Sequence, residues 1–221
     1  MHYELSRQNL LVGGIPFTMT VVRDTNALLE RIDPADFARE ERLPFWAEIW
    51  ASSLELSRWA LQGGVAAGTH VLELGCGLGL TGIAAARAGA LVTMTDYEPD
   101  ALSFTWLNAA ENLGLALASE RVRCEAFDWR RPYRGRRVPL VLGSDIMYDR
   151  ALFEPLLQRL HECLTPEGLA VLADPNRTIG RDFLSLAKRS GFTVSSSEVP
   201  SRQHERALTI IRSELRRRSH P

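Results

Sequence analysis

Beyond residue 70 the apolar positions change period repeatedly. Short apolar runs at 70–74, 91–95, 122–126, 140–144 and 169–173 alternate with longer stretches whose apolar residues recur every three or four positions. The short runs suit strands of a buried sheet, and the longer stretches suit amphipathic helices. Helices are predicted over 80–88, 99–112, 151–164 and 183–189, with Phe153, Leu156, Leu157, Leu160 and Leu164 forming one stripe. Pro99 fits the first turn of its helix. The turn at 165–168 ends the third helix and launches the fifth strand. Two alternating runs, 192–199 and 206–211, close the chain with only a loop at Pro200 between them, so they must pair antiparallel.

Five strands linked by helices and then an antiparallel pair predict a doubly wound α/β fold with a mostly parallel, seven-stranded, Rossmann-like sheet. A further helix from about Ala47, with Leu54, Leu56, Trp59 and Leu61 apolar, precedes the first strand. Residues 1–46 read as a short N-terminal extension with a hairpin around 15–22 and a polar stretch at 33–42. Residues 47–221 read as the main domain.

The chain has 221 residues, 45% of them hydrophobic, enough for one substantial core. Its 26 Lys and Arg against 27 Asp and Glu give a net charge of −1, so no whole-chain field draws it to nucleic acid or anionic lipid. Cys76, Cys124 and Cys163 stand far apart without a CxxC spacing, and the five histidines lack ligand spacing. No metal is expected, and a reducing cytoplasm is. No apolar run approaches ~18 residues, so no membrane partner is expected. Arginines gather at 121–137 and 216–218, where a solvated face is the plain account and docking of an acidic protein or RNA the alternative.

Candidate chemistry sits at the ends of the predicted strands. Gly75, Gly77 and Gly79 follow the first strand and precede a helix, a loop that lets backbone approach a ligand closely. The segment 77–82 also matches GxGxxG, but the strand ends at Leu74 and Gly75 already occupies the turn, which argues against a dinucleotide. Glu73, before the loop, suits a ligand with a cationic amine. Asp96, followed by Tyr97, ends the second strand, where a carboxylate can accept ribose hydroxyls; capping the next helix is the alternative role. Asp128 and Trp129 follow the third strand and suit an adenine amine and ring. Ser144, Asp145 and Tyr148 end the fourth, at the mouth of the same crevice, where Asp145 could hold an incoming amine and Tyr148 orient it.

At these motifs the chain resembles the seven-strand protein-lysine methyltransferases of the nicotinamide N-methyltransferase-like family. ELGCGLGLTG at 73–82 is similar to the family's cofactor loop, FDW at 127–129 to its adenine-side motif, and DIMY at 145–148 to its DxxY signature. WASSLEL at 50–56 is similar to the segment whose tryptophan walls the cofactor pocket. The resemblance implies S-adenosyl-L-methionine as cofactor, held by Trp50, Glu73, Gly75, Gly77, Gly79, Asp96, Tyr97, Asp128, Trp129 and Ser144. It implies catalysis by Asp145 and Tyr148, and a protein lysine as acceptor. PFWAEIW at 44–50, LSRW at 56–59 and ADPNR at 173–177 are most like the enzymes that modify the electron-transfer flavoprotein β subunit. Asn176 in place of a glycine, and the run at 51–53, depart from that subgroup; they leave the cofactor site intact and bear on the substrate. Methylation of RNA or of a small-molecule amine is the rival enzymatic reading, and a non-catalytic cofactor-binding scaffold the rival of another class. The absence of NPPY at the end of the fourth strand argues against base methylation, and the intact acids at 73, 96 and 128 argue against a scaffold.

Overall fold

The computed structural model describes residues 3–25, 28, 44–203 and 206–218; the polar stretch expected at 33–42 lies outside the described residues. An N-terminal hairpin pairs β1 (Leu5–Val12) with β2 (Ile15–Val22). After a 3-10 turn at Phe45–Ala47 comes α1 (Ala51–Trp59), which ends in a widened turn at Ala60–Gly64. Then follow β3 (His70–Leu74), α2 (Leu80–Arg87), β4 (Leu91–Asp96), α3 (Pro99–Leu113), α4 (Leu115–Arg121) and β5 (Val122–Ala126). The second half holds β6 (Val138–Ser144), α5 (Phe153–Cys163), β7 (Leu164–Asp174), α6 (Thr178–Arg189), β8 (Phe192–Gln203) and β9 (Arg206–Arg217).

The main sheet runs β5-β4-β3-β6-β7-β9-β8, parallel through β7 and antiparallel at β9 and β8, the doubly wound seven-stranded arrangement expected. Alternation along each strand divides the core in two. Val71, Leu140, Leu142 and Val171 face the side covered by α1, α2 and α3, whereas Leu72, Leu74, Val141 and Leu172 meet Phe153, Leu156 and Phe183 of α5 and α6. The first α-side continues outward to the hairpin, since Phe17 and Met19 belong to that core.

Several boundaries differ from the sequence expectation. Pro200 is not in a loop: it pairs with Thr209 inside a long β8–β9 hairpin. β8 is the sheet edge, where a residue without an N–H is tolerated. Leu164 already pairs with Val138, so the 165–168 turn is an irregularity within β7 and not its start. The apolar stretch from Ala47 breaks into two turns around α1, and α4 is a helix the periodicity did not announce. The last helix begins at Thr178, and its buried face runs from Gly180 through Phe183, Leu184 and Ala187.

The hairpin is fastened by side-chain amides that imitate a neighbouring strand. Asn108 of α3 accepts from the Thr20 amide at 2.7 Å, and its Nδ2 donates to the Thr20 carbonyl at 3.2 Å and the Leu78 carbonyl at 3.1 Å. One turn on, Asn112 repeats the pattern on Thr18, at 2.9 Å from the amide and 2.7 Å from the carbonyl. Arg87 adds a donor to the Pro16 carbonyl at 2.6 Å and lies over the Phe17 ring. Asn108→Ala orphans buried backbone groups and is expected to cost about 1–3 kcal/mol in urea unfolding. Arg7→Ala, which breaks only the exposed pair with Glu111, is expected to cost under ~1 kcal/mol.

Candidate active site

The strands change winding direction between β3 and β6, so helices leave these neighbours toward opposite faces and a crevice opens at their carboxyl ends. The glycine loop forms its floor. Gly77 has a φ of +53°, and an added Cβ would come within 3.1 Å of the Trp46 carbonyl, so close packing as well as conformation demands glycine. The loop is tied to the next strand: the Cys76 amide donates to the Thr95 carbonyl at 2.9 Å and the Gly77 amide to Asp96 Oδ2 at 2.9 Å. Thr105 of α3 donates to the Gly77 carbonyl at 2.8 Å. Asp96 Oδ1 accepts from the Glu98 amide at 3.0 Å, and burial raises its carboxyl pKa while these amides oppose the rise. With the Tyr97 amide adding a third bond, the carboxylate still has lone-pair capacity for a ligand hydroxyl.

The opposite wall comes from the end of β6. Asp145 adopts φ +57°, a conformation that a residue with a Cβ enters at a cost, and its amide donates to the Ala173 carbonyl at 2.9 Å. Its Oδ1 lies 2.6 Å from Arg177 Nη1, while Oδ2 is buried without a hydrogen-bond partner. Burial raises the Asp145 pKa; the Arg177 guanidinium and the nearby Ser52 hydroxyl pull it back. Aromatic rings close the third side. Phe45 meets Trp50 and Tyr148 edge to face at 6.1 and 5.8 Å, and the Trp50 indole donates to the Phe45 carbonyl at 2.9 Å. Trp46 packs against Phe104 and Tyr3 behind them. The cleft holds about 710 Å³ of unfilled space, part of it open to solvent.

A family model described as lysine methyltransferase matches residues 40–190. The chain belongs to this lysine methyltransferase family. It is 36% identical over 141 residues to the electron transfer flavoprotein beta subunit lysine methyltransferase of Danio rerio, covering 61% of this chain and 51% of that protein. It is 35% identical over 155 residues to the protein N-lysine methyltransferase METTL21A of Mus musculus, covering 67% and 69%. Against two of the relatives, both from Danio rerio, the match spans 51% and 62% of their own length. Among solved structures, magnesium protoporphyrin IX methyltransferase of Synechocystis PCC 6803 with bound S-adenosylhomocysteine superposes with a TM-score of 0.59 at 16% identity, over 89% of this chain and 100% of that one. At that identity the likeness speaks for the fold.

In this family member the cleft wall gathers Trp50, Gly75, Gly77, Asp96, Tyr97, Trp129, Ser144, Asp145 and Tyr148. Glu73, Gly79 and Asp128 are not on it. Glu73 turns inward toward α2, into space left by Gly82: a Cβ there would lie 2.5 Å from Glu73 Oε2 and 2.2 Å from Met94 Sδ. Gly79, at φ +85°, starts α2 and packs on Thr105. Asp128 is drawn aside by Arg130, whose Nε lies 2.9 and 3.0 Å from its two oxygens. Burial tends to raise the Asp128 pKa, but Arg130 outweighs it and holds the carboxyl below its usual range. Phe45, Glu48, Ile49, Glu98 and Ile146 line the cleft, and Arg177 stands behind Asp145; the expected site omitted all of them. The aromatic density of 44–50 was a usable signal for Phe45, but nothing local pointed to Arg177 as a partner of Asp145. The glycine-to-asparagine departure at 176 is explained: Asn176 has φ +60°, which asparagine tolerates. Arg130, Arg131, Arg134, Arg136 and Arg137 are exposed, whereas Arg217 donates to the His161 and Leu164 carbonyls at the end of α5.

Burial lifts Glu73 from an ordinary 4.5 to about 8, with Gly82 and Thr81 opposing and Asp96 adding to the rise. The folded protein therefore binds a proton that the unfolded chain has released, and the stability from this group falls as pH rises from about 4.5 to about 8. Glu73→Gln keeps the shape of the neutral acid. In urea unfolding from pH 5 to 9 it should lack this fall and exceed the parent protein in stability at the alkaline end. Identical pH profiles for the two proteins would contradict a neutral buried Glu73.

Proposed function

We propose that the cleft takes S-adenosyl-L-methionine and that the protein transfers its methyl group to the ε-amine of a lysine on another protein. The observation behind this reading is the convergence of Asp96, the Gly75–Gly77 backbone and the Asp145–Tyr148 segment on one cleft in a member of the lysine methyltransferase family. The residues fit the cofactor. Asp96 has lone pairs left for ribose hydroxyls, Trp129 and Tyr97 offer flat surfaces to a purine, and Glu48 and Glu98 supply the wall carboxylates that Glu73 does not. Residues 47–221 form the catalytic domain in this reading, with residues 1–46 as its extension, and the unpaired cysteines suit a cytoplasmic setting.

Bound S-adenosyl-L-methionine would supply a methyl carbon activated by a sulfonium. The protein's own work is to align a lone pair with that carbon and exclude water. Phe45, Trp50 and Tyr148 form the screen. Tyr148 stays protonated, because burial pushes its hydroxyl up to about 12, with Asp96 and Asp149 adding to the shift, so it orients an amine and does not act as base. Asp145 attracts an ammonium and holds it, which opposes loss of its proton. The proton therefore leaves to water before alignment, and no dedicated base is needed.

Asp96→Ala is expected to weaken S-adenosyl-L-methionine binding by about 1–3 kcal/mol in calorimetry. Asp145→Ala and Tyr148→Phe should leave that affinity near the parent value while lowering kcat and kcat/KM together. Loss of cofactor binding with turnover intact at saturation would reverse the roles.

The Danio rerio relative is named for the electron transfer flavoprotein β subunit, so that protein is the acceptor to test first. Incubated with enzyme and S-adenosyl-L-methionine, its lysine peptides should gain about one methylene per transfer by mass spectrometry. The rate should climb from pH 7 to 9, because a free lysine has a pKa near ~10.4. Label appearing only in RNA would overturn the acceptor and keep the transfer.

A further inference from the structure

Behind the acceptor wall, two buried carboxylates share a single guanidinium. Arg177 Nη1 lies 2.6 Å from Asp145 Oδ1 and 3.3 Å from Asp174 Oδ2, and the Arg177 amide donates to Asp174 Oδ1 at 2.7 Å. Arg177 is thus fixed to Asp174 at two points and reaches Asp145 with its tip. The approach is built by two left-handed residues: Asp145 itself, and Asn176, which turns the chain so that Arg177 faces back to β6. Gly180 permits it, because a Cβ there would stand 2.8 Å from the Asp174 carboxyl.

The groups facing Asp145 are Arg177 before α6, Asp174 at the end of β7 and the Ser52 hydroxyl of α1. With both acids ionised, one positive charge meets two negative ones. Asp145 Oδ2 and Ser52 Oγ are both buried with no other partner, and the Ser52 hydroxyl is close enough to stabilise the ionised carboxylate. A buried net negative charge complements a monovalent ammonium, and it offers nothing comparable to a neutral ring nitrogen or a hydroxyl.

Resting on the methyl-transfer reading above, we propose that Arg177, anchored by Asp174, is a positioning residue that keeps Asp145 ionised and aimed, so that the cluster's one uncompensated charge selects a primary ammonium as methyl acceptor. Without Arg177 the buried Asp145 would take up a proton and lose its hold on the amine. Asp145 alone touches the acceptor; Arg177 acts through it.

The test follows the Asp145 carboxyl by ¹³C NMR in the full-length protein saturated with S-adenosylhomocysteine, the resonance being assigned by its loss in Asp145→Asn. In Arg177→Gln the titration midpoint should rise by about 1–3 pH units, the span that an adjacent arginine produces. Arg177→Lys, which keeps the charge, should restore most of the difference. Added n-butylammonium chloride, a lysine side-chain probe, should shift the resonance in the parent and in Arg177→Lys, with roughly tenfold weaker apparent affinity in Arg177→Gln. An unmoved midpoint in Arg177→Gln, or equal response to the probe in all three proteins, would overturn the proposal. If Arg177→Gln does not fold by circular dichroism, Arg177→Met takes its place with the same expectations. Calorimetry of the parent protein with S-adenosyl-L-methionine keeps the two readings apart, since absent cofactor binding refutes the methyltransferase assignment whatever Arg177 does.

Discussion

The reversal of winding between β3 and β6 is the constraint on which the site depends. Two adjacent parallel strands whose following helices depart to opposite faces cannot be covered at their carboxyl ends. The gap must be filled by whatever those ends carry: the glycine loop after β3, Asp96 at the end of β4, Asp145 after β6 and Asp174 at the end of β7. The bond from the Gly77 amide to Asp96 shows how tightly these ends are joined, since it turns two separate strand termini into one edge of the cleft.

Four acids gathered at one end of a sheet pose an electrostatic problem, because burial penalises each ionised form. The structure solves it in three ways. Asp96 is solvated by backbone amides, which substitute for water and still leave lone pairs outward. Asp145 and Asp174 share Arg177. Glu73 has only the Gly82 amide and the Thr81 hydroxyl to set against complete burial, and its pKa is lifted to about 8. Residues of one chemical type at the ends of neighbouring strands therefore end in different states: a carboxylate held by backbone amides, a pair sharing one guanidinium, and a buried acid whose pKa is lifted to about 8. Perturbed groups of this kind concentrate where a ligand completes the charge balance.

What the sequence disclosed follows from the range of the forces involved. Strands at 70–74 and 122–126 were readable to the residue because short contiguous β-rich runs between turn signals depend on local pattern alone. Pro200 misled because a proline reads as a break unless the strand is known to be an edge, which only the assembled sheet reveals. The strand-end residues Asp96, Asp145 and Tyr148 were visible by type and place. The inward turn of Glu73 was not, because it depends on space left by Gly82 on another element. Nor was the Asp145–Arg177 pair, which joins residues 32 apart through two left-handed turns that no propensity announces.

The N-terminal hairpin lies outside the seven-stranded sheet, yet the same side chain that holds it also holds the glycine loop that lines the cleft. Asn108 bonds Thr20 of β2 and the Leu78 carbonyl of the glycine loop at once. Tyr3, beside the hairpin, packs edge to face on Trp46 and donates to Asp100 of α3 at 2.5 Å, while the Trp46 carbonyl lies where a side chain on Gly77 would be. The hairpin is therefore joined through two contacts, one polar and one aromatic, to the backbone that lines the cleft. Since the interior is close-packed, the hairpin buttresses the glycine loop from outside the cleft, whose lining includes none of its residues.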